Sequence, residues 1–468
     1  MNIRIFFYLF ALIPITTLSQ NITPQIKEEI SRRTELKINP NISIGVLLPK
    51  GEEKYYNFGH LDEKGIRPDS LNLYEIGSVT KTFTYLLAEK NLNDLLETPI
   101  LNFLPTIQNK DLKDISVVEV GNHISGLPRL TKHFSPDDWS DPFQGYSNDK
   151  LINELQNVSI DSSKSWNYSN FGYGVLGLTI ERETNKNFEE LMHGLIQDIG
   201  MPNTHLKHST PNDTKMVTPT NIGIENKFWH FTGPSRYAGG IISCTSDLIS
   251  YLKYQKNNNP LFKSDRVLEP FQTGIDDLGE NQLFYKNGWF NLRPDEETEI
   301  LIHNGGTGGF TSFVAFNKKT ETGIVVLSNS VSLIDDIGLK IIYPDFQLNR
   351  PERTIAYEIA DQIENGNSEN IVEDYNKLKA EGFPSNILNI YWLERLNFGN
   401  KNFKVSNQLS DIMIAELPDD WEVWDIKGQN YESLKMFAKA EKAYEQAFML
   451  NPDNTTLTQK IQRCKNSQ

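Results

Sequence analysis

The chain has 468 residues, of which 38% are hydrophobic and 23% are charged, and its formal net charge is −15. This composition is typical of a soluble globular protein, and the length favours about two to three domains. The acidic balance argues against nucleic acid or an anionic membrane surface as a partner, because phosphate groups are bound by clustered lysine and arginine.

The first residues have the layout of an export signal. Arg4 precedes an apolar stretch over residues 5–15, and small residues follow at Thr17 and Ser19. The apolar stretch is too short to span a bilayer, which takes roughly 20 residues. We predict a signal peptide over residues 1–19 and a periplasmic or secreted protein without a later membrane span. The alternative is a buried N-terminal strand or helix.

Strand patterns lie on both sides of a long helical stretch. Residues 42–48 and 53–58 are predicted to form a hairpin, and residues 283–290, 310–316 and 323–327 are also strand-like. Between them, roughly from 90 to 280, helical patterns dominate, for example over residues 173–183 and 188–199. This order predicts one antiparallel sheet built from distant parts of the chain, an α+β fold.

Ser78 is followed three positions later by Lys81, and a helical pattern covers residues 79–90. Residues i and i+3 share one face of a helix, so the Lys81 amine can reach the Ser78 hydroxyl. A serine needs a neighbouring group to accept its proton before it acts as a nucleophile. We predict Ser78 as the nucleophile and Lys81 as a partner in the proton transfer. The alternatives are a helix-capping serine and an exposed helix lysine.

The serine-x-x-lysine spacing is weak evidence by itself. Ser147 with Lys150 and Ser250 with Lys253 have the same spacing. Only the first of the three pairs is followed, in a comparable setting, by the two motifs described next.

Tyr168 and Asn170 form the first downstream motif, in an aromatic run over residues 166–173 that leads into an apolar helix. Tyrosine-x-asparagine also occurs at Tyr55, Tyr146 and Tyr285, so its flanks distinguish this copy. The Asn170 amide carries a donor and an acceptor and can orient Lys81 or the amide of a substrate. An asparagine that stabilises a turn is the alternative.

His303 precedes the second motif, a glycine-rich run over residues 304–309. Gly305 and Gly306 let the backbone come close to a ligand. An N–H group at about Gly306 can pair with that of Ser78 to stabilise an oxyanion. A flexible turn is the alternative, but it does not explain the histidine.

These motifs, in this order, resemble the serine β-lactamase and penicillin-binding-protein superfamily. The resemblance is to its class C branch, together with the related D-aminopeptidases, D-alanyl carboxypeptidases and esterases. Further landmarks in family order lie at residues 122–128, 166–173, 199–204 and 238–248.

The resemblance implies a five-stranded antiparallel sheet flanked by helices, with an inserted helical lobe and the active site between them. It also implies that Tyr168 exchanges protons with the nucleophile and with the leaving group, with Lys81 as the nearby cation. His303 departs from the lysine of most penicillin-recognising relatives. Because histidine is easily neutral at pH 7, binding of a substrate carboxylate is less favoured, and esters or small amides are favoured.

After about residue 345 the composition becomes that of polar helices. We predict a domain over residues 20–345 and an all-helical extension over 346–468, with one tetratricopeptide-like repeat at about 421–454. The residues that fit this repeat are Trp424, Gly428, Tyr431, Ala440, Ala447 and Pro452. The extension either caps the first domain or binds a protein partner.

The sequence therefore predicts an exported serine hydrolase that acts through an acyl-enzyme on a small amide or ester. Its eight histidines form no metal-binding cluster, and no phosphate-binding loop follows a strand, so neither a metal nor a cofactor is predicted. The two cysteines, Cys244 and Cys464, are too far apart in sequence to suggest a disulfide framework. The alternative is a catalytically inactive penicillin-binding-like sensor or binding protein that recognises a partner through the helical tail.

Overall fold

The computed structural model describes residues 22–61, 66–131, 134, 136, 140–206, 215–263, 270–274 and 282–468. The predicted signal peptide, residues 1–19, lies outside these ranges. None of the helices in the described ranges combines the length and the apolar character needed to cross a bilayer.

The described strands are two to seven residues long. In chain order they are β1 (Asn41–Leu47), β2 (Glu53–Gly59), β3 (Tyr74–Glu75), β4 (Thr220–Asn221), β5 (Ile224–Glu225), β6 (Ile242–Ser243), β7 (Phe271–Gln272), β8 (Leu283–Lys286), β9 (Trp289–Leu292), β10 (Ile300–Gly306), β11 (Thr311–Asn317) and β12 (Thr322–Ser328).

One antiparallel sheet dominates the described part, with the strand order β2-β1-β12-β11-β10-β9-β8-β7. β1 pairs with β12 so that Ile42 lies opposite Ser328. The N-terminal hairpin and the late strands thus join in one sheet. The predicted α+β sheet built from distant parts of the chain is confirmed.

The sheet has eight strands in the described ranges, so the prediction of five was wrong in number. The five long strands, of seven residues each, are present. The predicted single strand over residues 283–290 is instead two strands, β8 and β9, that turn at Asn287 and Gly288. Both turn residues have positive φ, 52° and 85°. An asparagine-glycine pair of this kind makes a tight hairpin, which adds strands at the sheet edge.

Helices of the N-terminal part cover the sheet and form a lobe beside it. They are α1 (Pro24–Glu35), α2 (Thr80–Leu92), α3 (Val117–Gly121), α4 (Asn148–Asn157), α5 (Asn170–Thr184), α6 (Phe188–Ile199), α7 (Arg236–Gly239), α8 (Thr245–Asn258) and α9 (Asp335–Ile342).

Both faces of the sheet are buried. In β1, Ile42 and Ile44 share a core with Ile30 of α1 and Ile337 of α9. On the opposite face, Gly45 leaves space for the Ile249 side chain of α8, whose nearest carbon lies 2.8 Å from where a β-carbon would be. Helices on both sides explain why β1, β11 and β12 are buried at every position.

The C-terminal part of the described chain is entirely helical, as predicted. Its helices are α10 (Ile355–Glu364), α11 (Ile371–Ala380), α12 (Ile387–Gly399), α13 (Phe403–Glu416), α14 (Trp421–Ser433), α15 (Phe437–Leu450) and α16 (Thr455–Asn466).

The helical extension packs against the N-terminal part. Ile222 in the β4–β5 turn and Ile224 of β5 share a core with Ile355 of α10. The predicted repeat at about 421–454 covers α14 and α15. There Gly428 lets the two helices approach, since a β-carbon on it would lie 2.3 Å from the Tyr444 ring. Whether this pair acts as a tetratricopeptide repeat stays a prediction.

Glu89 on α2 makes the stability of the N-terminal part depend on pH. Its carboxylate accepts a hydrogen bond from Asn287 Nδ2 at 2.9 Å. Burial raises the pKa of Glu89 to about 7, although the hydrogen bond from Asn287 opposes this rise. The unfolded chain ionises this carboxyl at lower pH than the folded protein does, so stability falls as pH rises from about 4.5 to 7.

We expect Glu89→Gln to stabilise the protein by about 1–3 kcal/mol at pH 8, and by progressively less toward pH 4.5. Thermal unfolding followed at several pH values measures the difference. Glu183→Gln, on an exposed position of α5, is the matched control and should show no such trend. A stability gain of Glu89→Gln that is the same at every pH would contradict the prediction.

Candidate active site

Ser78 lies in a single 3₁₀ turn, Gly77–Val79, that leads directly into α2. Gly77 has a φ of +47°, a left-handed conformation that glycine adopts readily. Lys81, one turn further on, donates a hydrogen bond from Nζ to Ser78 Oγ at 3.0 Å. The structure therefore places the two groups in the contact expected from their spacing.

The Lys81 side chain is completely buried. Its Nζ also donates to the main-chain oxygen of Ala238 at 2.8 Å. Burial, reinforced by the positive charge of Arg129, holds the pKa of Lys81 well below its usual value. A lysine in this setting gives up its proton more easily than a free one, so its amine can serve as a base.

Tyr168 lies against this lysine, with Lys81 Nζ 4.9 Å from the centre of its ring. Burial raises the pKa of the Tyr168 hydroxyl to about 12, although a hydrogen bond with Ser78 and the charge of Arg129 both oppose the rise. Near neutral pH the phenol therefore keeps its proton, while Lys81 is the group whose proton is loosely held.

His123 positions the tyrosine, although no sequence pattern had assigned it a role. The Ser169 N–H donates to His123 Nδ1 at 3.0 Å, and the His123 ring centre lies 4.6 Å from that of Tyr168. His123 is buried and has a φ of 63°. Its place in the 122–128 landmark was the signal available, but nothing in the pattern says that its ring meets Tyr168.

Asn170 begins α5, directly after the capping residue Ser169. Ser169 Oγ accepts from the Gly172 N–H at 2.7 Å and donates to the Pro128 oxygen at 2.6 Å. Asn170 borders a small, mostly apolar cavity that also reaches Ala238. The other lining residues are Leu130, Thr131, Phe134, Phe143, Tyr146, Leu151, Phe171, Gly174 and Ser235.

His303 lies on β10 and is completely buried. Its Nδ1 is 2.7 Å from the oxygen of Asn304, which fixes Nδ1 as the donor. Burial, with a smaller contribution from the Lys81 charge, lowers the pKa of His303 to about 3. The ring centre lies 6.5 Å from that of Tyr168. The imidazole is therefore neutral at pH 7.

The glycines of β10 bring its backbone against the turn that carries Ser78. A β-carbon on Gly305 would lie 2.1 Å from the Ile76 oxygen and 2.9 Å from the Ser78 nitrogen. A β-carbon on Gly77 would lie 2.8 Å from the Gly306 nitrogen, whereas one on Gly306 would meet open space. The main-chain nitrogens of Ser78 and Gly306 therefore lie on adjoining segments beside the serine hydroxyl.

Arg129 is a further residue of the site that the sequence did not single out. Its guanidinium carbon lies 5.1 Å from the centre of the Tyr168 ring, and its side chain is exposed. It stands one residue beyond the 122–128 landmark. A single arginine in a loop gives no periodic or spacing signal, so sequence reasoning passed over it.

The structure thus gathers Ser78, Lys81, Tyr168 and His303 around one point, with Gly305 and Gly306 beside them. Asn170 borders the adjoining cavity. Six of the seven predicted site residues therefore lie around Ser78, and Asn170 lies at the adjoining start of α5.

The family comparison gives this arrangement a context. The family model described as Beta-lactamase matches residues 44–340. The chain belongs to the beta-lactamase family. The superfamily suggested by the sequence motifs is therefore confirmed.

Among curated proteins, this chain is similar to Protein flp of Staphylococcus aureus, with 25% identity over 321 residues. That match covers 64% of this chain and 62% of the relative, so the chain spans less than two thirds of the length of that relative. A Beta-lactamase of Providencia stuartii is also 25% identical, over 62% of this chain and 82% of the relative.

Solved structures agree in fold. A class C beta-lactamase superposes with a TM-score of 0.57 at 20% identity, covering 69% of this chain and 97% of the other. A class C beta-lactamase in complex with cefoxitin has the same TM-score and identity, covering 68% and 99%. These likenesses show the fold of the N-terminal part.

Proposed function

We propose that this protein is a serine hydrolase that transfers the acyl group of a small ester or amide to Ser78 and then to water. The observation that carries the proposal is the contact between Ser78 Oγ and Lys81 Nζ, 3.0 Å apart, with the lysine buried. A buried amine with a lowered pKa, beside a partly exposed hydroxyl, is what an activated nucleophile needs.

The order of the pKa values supports a division of labour between the two proton carriers. With the pKa of Lys81 lowered and that of Tyr168 raised to about 12, the Lys81 amine accepts the Ser78 proton as Oγ bonds to the carbonyl carbon. The Tyr168 phenol then donates its proton to the departing oxygen or nitrogen, and Lys81 restores the proton to Tyr168. Attack by water on the acyl group releases the acid and returns a proton to Ser78.

The oxyanion that forms during these steps needs donors in place before the reaction. The main-chain N–H groups of Ser78 and Gly306 are suited to this because the glycines bring their backbones together. Fixed backbone donors of this kind need no rearrangement as the charge develops. In other enzymes, loss of one such donor lowers kcat by about 100- to 1,000-fold.

The cavity beside Asn170 supports one feature of the acyl group, its apolar character. Its walls are largely aromatic and aliphatic, and the Asn170 amide is among its few polar groups. The apolar side chains around this small cavity favour an apolar acyl group, and Asn170 can bind a nearby amide. Neutral His303 offers no cation on the β10 side. These features favour esterase or peptidase activity over β-lactam hydrolysis.

The proposal is tested by mass spectrometry of the intact protein with a fluorophosphonate probe and with a fluorescent penicillin. We expect a single adduct that maps to Ser78. A panel of p-nitrophenyl esters, D-amino acid amides, D-alanyl peptides and nitrocefin then identifies the substrate class. Absence of any adduct and of any turnover would overturn the proposal and favour a binding protein.

We also propose that the protein is exported and that residues 1–19 are removed. The support is the charged and apolar layout of those residues alone. Determining the N-terminal sequence of the mature protein from its native host tests this.

A further inference from the structure

The Ile76 carbonyl, just before the turn that carries Ser78, accepts two hydrogen bonds. Ser312 Oγ donates to the Ile76 oxygen at 2.8 Å, and the Val79 N–H donates to it at 3.2 Å. The bond from Val79 closes the 3₁₀ turn itself. The bond from Ser312 comes from β11, so it joins this turn to the sheet.

Ser312 reaches the Ile76 carbonyl through the space that Gly305 leaves. Ser312 and Gly305 are paired across β11 and β10. A β-carbon on Gly305 would lie 2.6 Å from Ser312 Oγ and 2.1 Å from the Ile76 oxygen, so a side chain there would separate the two groups. Ser312 is completely buried. Its hydrogen bond is therefore shielded from water, and loss of the hydroxyl would remove a partner from a buried carbonyl.

The direction of the Ser78 N–H depends on how Ile76 is held. Gly77, with its φ of +47°, lies between the Ile76 carbonyl and the Ser78 N–H. Because glycine adopts many backbone conformations at little cost, Gly77 does not by itself fix the direction of the N–H that follows it. The segments on its two sides must do so. These are α2 after the turn and, through Ile76, the hydroxyl of Ser312 before it.

The second main-chain donor of the site lies on the strand that pairs with the strand of Ser312. Gly306 follows Gly305 on β10 and is paired with Thr311, the neighbour of Ser312 on β11. The hydrogen bond from Ser312 to Ile76 therefore connects the strands that carry the Gly306 N–H to the turn that carries the Ser78 N–H. Donors stabilise a developing oxyanion best when their positions are fixed beforehand.

We propose that Ser312 is a positioning residue that sets the geometry of the Ser78 and Gly306 N–H groups toward the oxyanion. The inference rests on the proposed function, in which these two groups stabilise the negative charge. Ser312 is buried and acts through the Ile76 carbonyl, without touching the substrate. Because the charge develops only as the reaction proceeds, displaced donors slow the chemical step and leave substrate binding nearly unchanged.

A purely structural role for Ser312 gives a different expectation. If its hydroxyl only satisfies a buried carbonyl, its loss lowers stability and the fraction of folded protein. Each folded molecule would then still react at the wild-type rate. The rate per reactive molecule, obtained by counting the molecules that a fluorophosphonate labels at completion, separates the two roles.

The test measures the rate of fluorophosphonate labelling and the kcat/KM of the p-nitrophenyl ester that wild type hydrolyses fastest, both per reactive molecule. We expect Ser312→Ala to lower both by about 10- to 100-fold, less than complete loss of one donor would, because the N–H groups are displaced and not removed. The half-saturating concentration of the probe should change by less than about twofold. Ser312→Cys keeps a weak S–H donor of similar size and should lie between wild type and Ser312→Ala. Should Ser312→Ala fail to fold, Ser312→Cys carries the same comparison.

Ser330→Ala is the matched control. Ser330 is also completely buried, and its Oγ donates to the Ile38 oxygen at 2.6 Å. This variant therefore loses the same kind of hydrogen bond and should keep wild-type rates per reactive molecule. Wild-type rates in the Ser312 variants, or an equal loss in Ser330→Ala, would overturn this inference and leave the hydrolase proposal intact. A wild type with neither an adduct on Ser78 nor turnover of any ester or amide would overturn both.

Discussion

Replacing Ser78 with alanine is expected to lower kcat/KM on the best substrate by at least about 1,000-fold and to abolish the covalent adduct. The physical reason is that the remaining groups can polarise a carbonyl and move protons but cannot form the acyl bond. Steady-state kinetics and intact-protein mass spectrometry measure the two effects. The folded state should be unaffected, because Ser78 is partly exposed and the turn around it is held by the backbone.

The chain supplies its own control for this substitution. Ser250 and Lys253 have the same spacing as Ser78 and Lys81, on α8, but Ser250 Oγ only donates to the Ser246 oxygen at 3.4 Å. Ser250→Ala should keep full activity and labelling. Wild-type rates in Ser78→Ala would rule out Ser78 as the nucleophile.

Replacing Arg33 with methionine is expected to destabilise the N-terminal part by about 3–5 kcal/mol. The Arg33 guanidinium is completely buried and joins three parts of the chain. Its Nε donates to Glu29 of α1 at 2.9 Å, and its terminal nitrogens donate to Asp336 of α9 at 3.1 and 2.6 Å and to the Asn349 oxygen at 2.7 Å. Methionine leaves the buried Asp336 carboxylate without its charge partner.

Urea unfolding followed by tryptophan fluorescence measures this loss. Lys27→Met, at an exposed position of the same helix, should change stability by no more than about 0.5 kcal/mol. Combining Arg33→Met with Asp336→Leu should recover part of the loss, because the unpaired charge is then removed as well. A loss below about 1 kcal/mol in Arg33→Met would show that the buried pair contributes little.

Local patterns predicted the parts of the site that depend on neighbours in sequence. The three-residue spacing of Ser78 and Lys81 placed their side chains in contact. The chemistry of histidine also allowed a neutral His303, although only burial explains how far its pKa falls. The meeting of Lys81 with Tyr168, 87 positions later, came from the family resemblance, because no pattern in one sequence encodes a contact over that distance.

The features that the sequence did not predict were missed for different physical reasons. The asparagine-glycine pair at Asn287 and Gly288 is typical of a turn and is present in the sequence. The apolar residues on both sides of it nevertheless led us to predict one continuous strand. Arg129 and His123 could not be assigned from sequence, since their roles arise from rings and carbonyls brought together by the fold. Side-chain burial, which sets the pKa values of Lys81 and Tyr168, is equally a property of the folded chain.

The close approach of Gly77 to Gly306, and of Gly305 to Ile76 and Ser78, limits how this protein can acquire new substrates. At Gly77 and Gly305 the facing peptide groups leave no space for a β-carbon, so these two positions do not accept a larger residue. A mutant library aimed at those glycines would yield mostly damaged proteins. Substitutions in the side chains that line the cavity beside Asn170 would leave Ser78 and Lys81 in place while changing which substrates fit.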